Sequence, residues 1–210
     1  EQDWLDHDEA ARVASLVLSL PPGRHPLPEA RSRAILTREF PVHASNAIAE
    51  QIDAVSARTQ TSPVAVALAF YGQALEETFG PPGRFVLTPI SKRVRPELRD
   101  VVGCCLDMRL IDTAHHEKSR FLTVHQQIRD AQTESVLPIE EVVELVRAKD
   151  PSAASHLTRF GFTYRLMDRA AVECDEHTLT PIDVPQLAAR FAIALHVERR
   201  NENTRVWLEA

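Results

Sequence analysis

Histidine is the residue type in this chain with the widest choice of chemistry. The 210-residue sequence holds nine histidines, and His115, His116 and His125 lie close together along it. Neither these three nor His125 with Glu134 shows the i, i+4 spacing with a bracing carboxylate that zinc enzymes use. We therefore expect no metal site, and we expect His115 and His116 to be solvated residues of a turn.

The three cysteines, Cys104, Cys105 and Cys174, also fall short of a reactive pattern. They form no C-x-x-C motif, and two adjacent cysteines do not easily bridge each other. No paired base is visible beside them, so we expect small buried hydrophobic residues instead of nucleophiles. Glycine is scarce, at six residues, and the sequence contains no phosphate-binding glycine motif that would predict a nucleotide site.

Asp107 and Arg109 remain as candidates for chemistry, and they lie on a stretch in which apolar and polar residues alternate. Between Cys104 and Ile111 the apolar residues share one side, and Asp107 and Arg109 share the other. Two interpretations are open. The pair can face a functional site, or it can be a same-face polar pair on a half-exposed strand.

Composition limits the partners of the chain. With a net charge of -6 and 44% apolar residues, it has ordinary globular composition and no positive field to hold nucleic acid or an anionic membrane. No apolar run reaches the roughly 20 residues that span a bilayer. We expect a cytoplasmic protein with protein or small-molecule partners. The chain begins at Glu1 instead of a methionine, which suggests a longer parent polypeptide.

Periodicity predicts the elements that must position these residues. Helical spacing of apolar residues or helix-start signals predict helices at Asp8–Leu20, from Ser45 or Asn46, after Ser62-Pro63, after Ser119 and from Pro138. Strands are predicted at Arg33–Phe40, from Phe85, at Cys104–Ile111, Phe160–Leu166, Arg190–Val197 and Thr204–Leu208, with a long loop over Glu173–Pro185. The fold class is therefore α/β, with a mixed β-sheet covered by amphipathic helices.

An ordered series of motifs links these elements to a known family. Residues 88–93 (TPISKR), 96–103 (PELRDVVG) and 104–107 (CCLD) resemble the run T-P-x-S-G-R, P-E-L-x-x-x-V-G-x-F-V-N of nonribosomal-peptide-synthetase condensation-type domains. Residues 137–143, 190–195 and 206–209 are similar to later motifs of that family, in the same order.

The resemblance implies a lobe similar to chloramphenicol acetyltransferase. Residues 1–30 then correspond to the inter-lobe linker region and residues 31–210 to the C-terminal lobe. The family's His-His-x-x-x-Asp-Gly motif belongs to the N-terminal lobe, and His115-His116 does not match it because Glu117 to Phe121 follow. The resemblance therefore implies no catalytic residue in this chain.

The same resemblance implies a tunnel wall for amide-bond formation between carrier-bound thioesters. Ser91, Asp107 and Arg109 map to the tunnel. Implied partners are an N-terminal condensation lobe and peptidyl or acyl carrier proteins, whose phosphopantetheine arm enters the tunnel, with no cofactor bound directly. A lobe without its partner lobe exposes an apolar interface, so we also expect self-association.

Some positions depart from the family pattern. Lys92 stands where the family has Gly, Asp107 where it has Asn, Glu134 where it often has His, and Ala192 where it has Asp. These departures keep a second hypothesis open. In it, the chain is an inactive condensation-like platform that recruits a carrier protein or a tailoring enzyme.

Overall fold

The computed structural model describes residues 39–43, 45–114, 120–133, 138–167, 172–175, 177–180, 182, 190–200 and 203–210. Six strands of one mixed sheet organise this part of the chain. The strands are β1 (Glu39–Pro41), β2 (Phe85–Ser91), β3 (Leu106–Asp112), β4 (Phe160–Leu166), β7 (Ile193–Arg199) and β8 (Thr204–Glu209). Their order is β1-β8-β7-β4-β2-β3. Strand β4 runs parallel to both β2 and β7, and the other pairs are antiparallel.

Five α-helices lie in the described residues, and the first four begin where the sequence predicts. They are α1 (Ser45–Thr59), α2 (Pro63–Phe79), α3 (Arg120–Thr133), α4 (Ile139–Arg147) and α5 (Pro151–His156). At the start of α2 the Ser62 hydroxyl accepts a hydrogen bond from the backbone N–H of Ala65 at 3.3 Å, and Pro63 is the first helical residue. This cap satisfies one orphan donor of the helix.

Two layers of helices cover opposite faces of the sheet. Val86 and Ile111 pack in a core with residues of α2 and α3, such as Leu68 and Val124. The side chains next to them along the strands point the other way, and Phe85 and Leu110 pack against Val146 and its neighbours in α4 and α5. The predicted mixed sheet with amphipathic helices on it is therefore confirmed.

Some predicted elements differ in place or kind. The loop expected over Glu173–Pro185 is wrong in its first half, because β5 (Val172–Cys174) and β6 (His177–Leu179) form an antiparallel hairpin there. The side chains of β6 are exposed, so backbone pairing and not apolar alternation defines this hairpin. Asp175 adopts φ 51°, the left-handed conformation that short polar residues tolerate in tight turns.

The short helix α5 was also not predicted from the sequence. Asp150 caps it by accepting hydrogen bonds from the backbone N–H groups of Ser152 and Ala153. Strand β3 begins two residues later than predicted, at Leu106, and Cys104 is exposed, which contradicts the expectation of a buried thiol. That expectation failed because Cys104 lies in the loop before the strand.

Other predictions concern residues that the structure does not describe. The helix at Asp8–Leu20, the linker over residues 1–30, most of the strand at Arg33–Phe40 and the His115-His116 pair all lie outside the described residues. Among the residues that are described, no helix combines the length and apolar character needed to cross a membrane.

Candidate functional site

The hairpin formed by β2 and β3 carries the residues that the sequence singled out. Its register is continuous from Phe85 opposite Asp112 to Ser91 opposite Leu106. Asp107 lies opposite Ile90, whose side chain is buried in the core that contains α3, and Arg109 lies on the same face two residues on. Ser91 follows Ile90 directly, so its side chain points to the opposite face. The structure thus brings Asp107 and Arg109 together and separates Ser91 from both.

A third charged residue joins that pair. Asp107 Oδ2 lies 3.1 Å from Arg109 Nη2 and 3.7 Å from Lys92 Nζ, and we call these three residues the hairpin charge cluster. Arg109 is buried, whereas the side chain of Asp107 is 47% exposed. The Asp107 carboxylate thus lies within ion-pair distance of two cations at this end of the hairpin.

Lys92 is held by the helix that covers this face. Its Nζ donates a hydrogen bond to the carbonyl oxygen of Ala131 at 2.8 Å, near the end of α3. A cation there complements the partial negative charge of a helix C-terminus. Burial, followed by the neighbouring Arg109, lowers the pKa of Lys92, and Asp107 acts in the opposite direction. Sequence reasoning noted Lys92 as a departure but missed this contact, which depends on the packing of α3.

Arg93 organises the loop over residues 92–105 that joins the two strands. Its guanidinium donates to the carbonyl oxygens of Leu98 at 2.6 Å, Arg99 at 3.3 Å and Gly103 at 2.9 Å. The Ser91 hydroxyl accepts a hydrogen bond from the backbone N–H of Arg93 at 3.3 Å. Ser91 therefore fixes the first turn of a loop that closes around one side chain.

This loop and the start of β3 expose apolar side chains. Val94 and Val101 are each 45% exposed, Leu106 is 54% exposed, and Val102 is fully exposed. We call these four residues the loop apolar residues. Large apolar side chains gathered on one exposed segment are typical of an interaction surface.

The structure brings together a second group of polar residues, which the sequence did not predict. On β7 and β8, His196 stacks on Trp207 with ring centroids 4.9 Å apart, and His196 Nε2 lies 3.3 Å from Glu209 Oε2. Glu198, 1% exposed, is bound by Arg200 at 2.6 Å. We call His196, Glu198, Trp207 and Glu209 the β7–β8 polar cluster. Alternation alone predicted a strand here but not which of its polar residues would be buried.

His125, which the sequence analysis weighed as a metal ligand, connects two helices. His125 Nδ1 accepts a hydrogen bond from the backbone N–H of Ser62 at 3.2 Å, so it ties α3 to the start of α2. No group of three metal-binding side chains occurs in the part of the chain that is described. The hairpin charge cluster offers charge and hydrogen-bond donors rather than a nucleophile held by a base.

Comparisons with known proteins show which fold this chain shares. The X-domain from teicoplanin biosynthesis is similar over 100% of this chain and 50% of its own, with a TM-score of 0.68 and 17% identity. The cyclization-docking bidomain of EpoB from Sorangium cellulosum matches 97% of this chain and 43% of its own, with a TM-score of 0.64 and 16% identity. The condensation domain of MokA, the Monacolin K polyketide synthase, matches 99% and 53%, with a TM-score of 0.61 and 9% identity.

The chain has the condensation-domain fold. The predicted resemblance and the predicted fold class are therefore confirmed. The chain spans about half the length of the three solved proteins.

Sequence comparison agrees with the fold. Nonribosomal peptide synthetase kk1B from Curvularia clavata is 22% identical over 200 residues, which cover 92% of this chain and 2% of that protein. No family model matches the sequence. The X-domain from teicoplanin biosynthesis has also been solved in complex with OxyB, and that structure matches this chain with a TM-score of 0.64 and 18% identity.

Proposed function

We propose that this chain is the C-terminal lobe of a condensation-type acyltransferase of nonribosomal peptide synthesis. In this proposal an N-terminal lobe supplies the catalytic histidine. The chain described here supplies one wall of the tunnel in which an amine attacks a carrier-bound thioester. Its partners are peptidyl or acyl carrier proteins, whose phosphopantetheine arms enter the tunnel, and its location is cytoplasmic.

One observation carries the proposal: charge and exposed apolar surface meet at the same end of the β2–β3 hairpin. The hairpin charge cluster lies where the strands end, and the loop apolar residues follow in the connecting loop. A surface that closes against a second lobe needs apolar area, and a tunnel that holds polar arms needs hydrogen-bonding groups at its wall.

The proposed tunnel residues divide by role. Asp107, half-exposed between two cations, is the acceptor that an amide or amine of the arm can reach. Arg109 is buried beneath it and holds the carboxylate in place. Ser91 faces the other side of the sheet and acts on the tunnel through the loop, because its hydroxyl fixes Arg93. None of the three is a catalytic residue in this proposal.

The contact between Lys92 and α3 favours a second candidate, the recruiting platform. Because Lys92 Nζ bonds to Ala131 and lies near Asp107, its side chain fills the space between the hairpin and α3. The resembling family has glycine there, and glycine has no side chain to occupy that space. A filled space favours a domain that binds a protein partner on its loop over one that admits two arms.

Condensation between two loaded carrier proteins tests the first candidate. The sample is the segment of the parent synthetase that contains this chain, its N-terminal lobe and both carrier proteins, and product formation is followed by mass spectrometry. We expect Asp107→Ala to lower the rate by about tenfold or more, because a misplaced arm reacts slowly. Asp107→Asn should retain most activity, since asparagine is the family residue there.

Glu140→Ala is the matched control, because Glu140 is an exposed carboxylate on α4, on the opposite face. It should react at the wild-type rate. A wild-type segment that forms no product contradicts the acyltransferase proposal. The platform is then tested by titrating the carrier protein against wild type and Val102→Asp, and the platform requires the variant to bind more weakly.

A further inference from the structure

A cleft on the other side of the molecule from α4 and α5 is not used by the proposed function. It has a volume of about 680 Å³ and lies between α1 and α2, with β7 and β8 as its floor. Ile52 of α1 and Tyr71 of α2 form its walls, and Leu195 and Val206 belong to its floor. A volume of this size is within the ~300–1,000 Å³ range of small-molecule sites.

Each of the two helices turns apolar side chains toward the cleft. On α1, Ile48, Ile52 and Val55 recur at helical spacing, and all three are only partly buried. On α2, Phe70 stands at the rim with 42% of its surface exposed. In the described part of the chain these side chains line the cleft and keep part of their surface exposed, so an apolar ligand there gains contacts with them.

The chemistry of the walls defines the ligand. No described lining residue carries a charge, and the polar ones are Gln51, Tyr71 and Thr78. The Tyr71 hydroxyl donates to the carbonyl oxygen of Ile193 at 3.3 Å, and the Thr78 hydroxyl donates to that of Ala74 at 2.7 Å. Gln51 is exposed at the mouth, where its amide can bond to a polar end group. An ionised group inside the cleft would lose its hydration without a charged partner.

We propose that the cleft between α1 and α2 binds an uncharged, mainly aliphatic ligand, such as an acyl chain in amide or ester linkage. The aliphatic chain lies along the floor made by β7 and β8, and its polar end lies beside Gln51. The inference is independent of the proposed acyltransferase function, because the cleft lies between α1 and α2 and shares no residue with the hairpin charge cluster.

Fluorescence of N-phenyl-1-naphthylamine, an uncharged apolar dye, tests the site on the whole chain. We expect saturable binding by wild type with one site per chain, and displacement by 1-decanol. Ala74→Phe places a ring in the cleft at an exposed helical position and should weaken binding at least about tenfold. Ala54→Phe is the matched control, because Ala54 is exposed on α1 and does not line the cleft. It should bind like wild type.

Three results would overturn the proposal. The first is no saturable binding by wild type, whether another part of the chain or a second copy fills the cleft. The second is equal weakening by Ala74→Phe and Ala54→Phe, or no weakening by either, because the dye then binds elsewhere. The third is dye binding that 1-decanol does not displace, because the site then does not accept an aliphatic chain. Thermal melting of both variants separates loss of binding from loss of fold.

Discussion

The hairpin charge cluster and the β7–β8 polar cluster lie on opposite faces of one sheet and meet water differently. Asp107 keeps 47% of its side chain exposed, whereas the side chains of Glu198 and Glu209 keep 2% and 5%. A half-exposed carboxylate is available to a partner, whereas a buried one has its interactions within the protein. The comparison shows that charge alone does not mark a binding surface; access does.

The largest expected effect falls on the buried cluster. Trp207 is 5% exposed, stacks on His196, and lies under the guanidinium groups of Arg165 and Arg205. Trp207→Ala should lower the free energy of unfolding by about 3–5 kcal/mol, because a large cavity opens and the stacking is lost. Chemical denaturation measures it. Leu122→Ala, at an exposed position of α3, is the control and should change little. A loss below about 1 kcal/mol for Trp207→Ala would contradict the contrast.

The next largest effect is expected from a fall in pH, which should change the free energy of unfolding through the β7–β8 polar cluster. Burial, with help from Arg165 and Arg205, lowers the pKa of His196 from 6.5 to about 4. The unfolded chain therefore binds more protons than the native chain between these values, and the free energy of unfolding decreases as pH falls from 6.5 toward 4. The upper limit of this loss is about 3 kcal/mol.

Glu209 opposes this trend. Burial, followed by Glu39, raises the pKa of Glu209 above 4.5. Its contribution therefore lowers the free energy of unfolding as pH rises above that value. Denaturation curves of wild type and His196→Gln across this pH range isolate the histidine. We expect the variant to be less pH-dependent, and equal slopes for the two proteins would show that His196 does not titrate as its burial requires.

The hairpin charge cluster should respond less to substitution. Arg109→Met removes a buried cation but leaves Asp107 near Lys92 and water, so we expect a loss of about 1–2 kcal/mol. Asp107→Asn should cost less than about 1 kcal/mol, because that side chain is half-exposed. If Asp107→Asn destabilised the fold more than Arg109→Met, the cluster would be a structural unit like the one on β7 and β8.

The sequence predicted the framework well and the contacts poorly. Ser62-Pro63 marks the start of α2 by local chemistry, and alternation places Asp107 and Arg109 on one face. Their burial depends on α3, which lies elsewhere in the sequence, so neither the Lys92 contact nor the difference in exposure within the pair could be read from it. The β5–β6 hairpin was missed because the exposed residues of β6 lack an apolar pattern.

The smallest effect on stability is expected in the loop apolar residues. Val102→Asp should leave the free energy of unfolding within about 0.5 kcal/mol, since its side chain is fully exposed. It should nevertheless reduce the self-association that an uncovered lobe interface produces. Sedimentation velocity over a concentration series measures this. If wild type sediments as a monomer at every concentration, the loop is not an uncovered interface.

Cross-linking tests the central claim most directly, because Cys104 is exposed in the loop beside the proposed tunnel wall. A carrier protein whose phosphopantetheine arm ends in a chloroacetamide alkylates a thiolate within its reach, with loss of chloride. In the parent synthetase segment we predict that the arm attaches to Cys104, that Cys104→Ser abolishes this product, and that unlabelled carrier protein competes. An arm that attaches elsewhere, or to nothing, would contradict the claim that this hairpin end is a wall of the chamber.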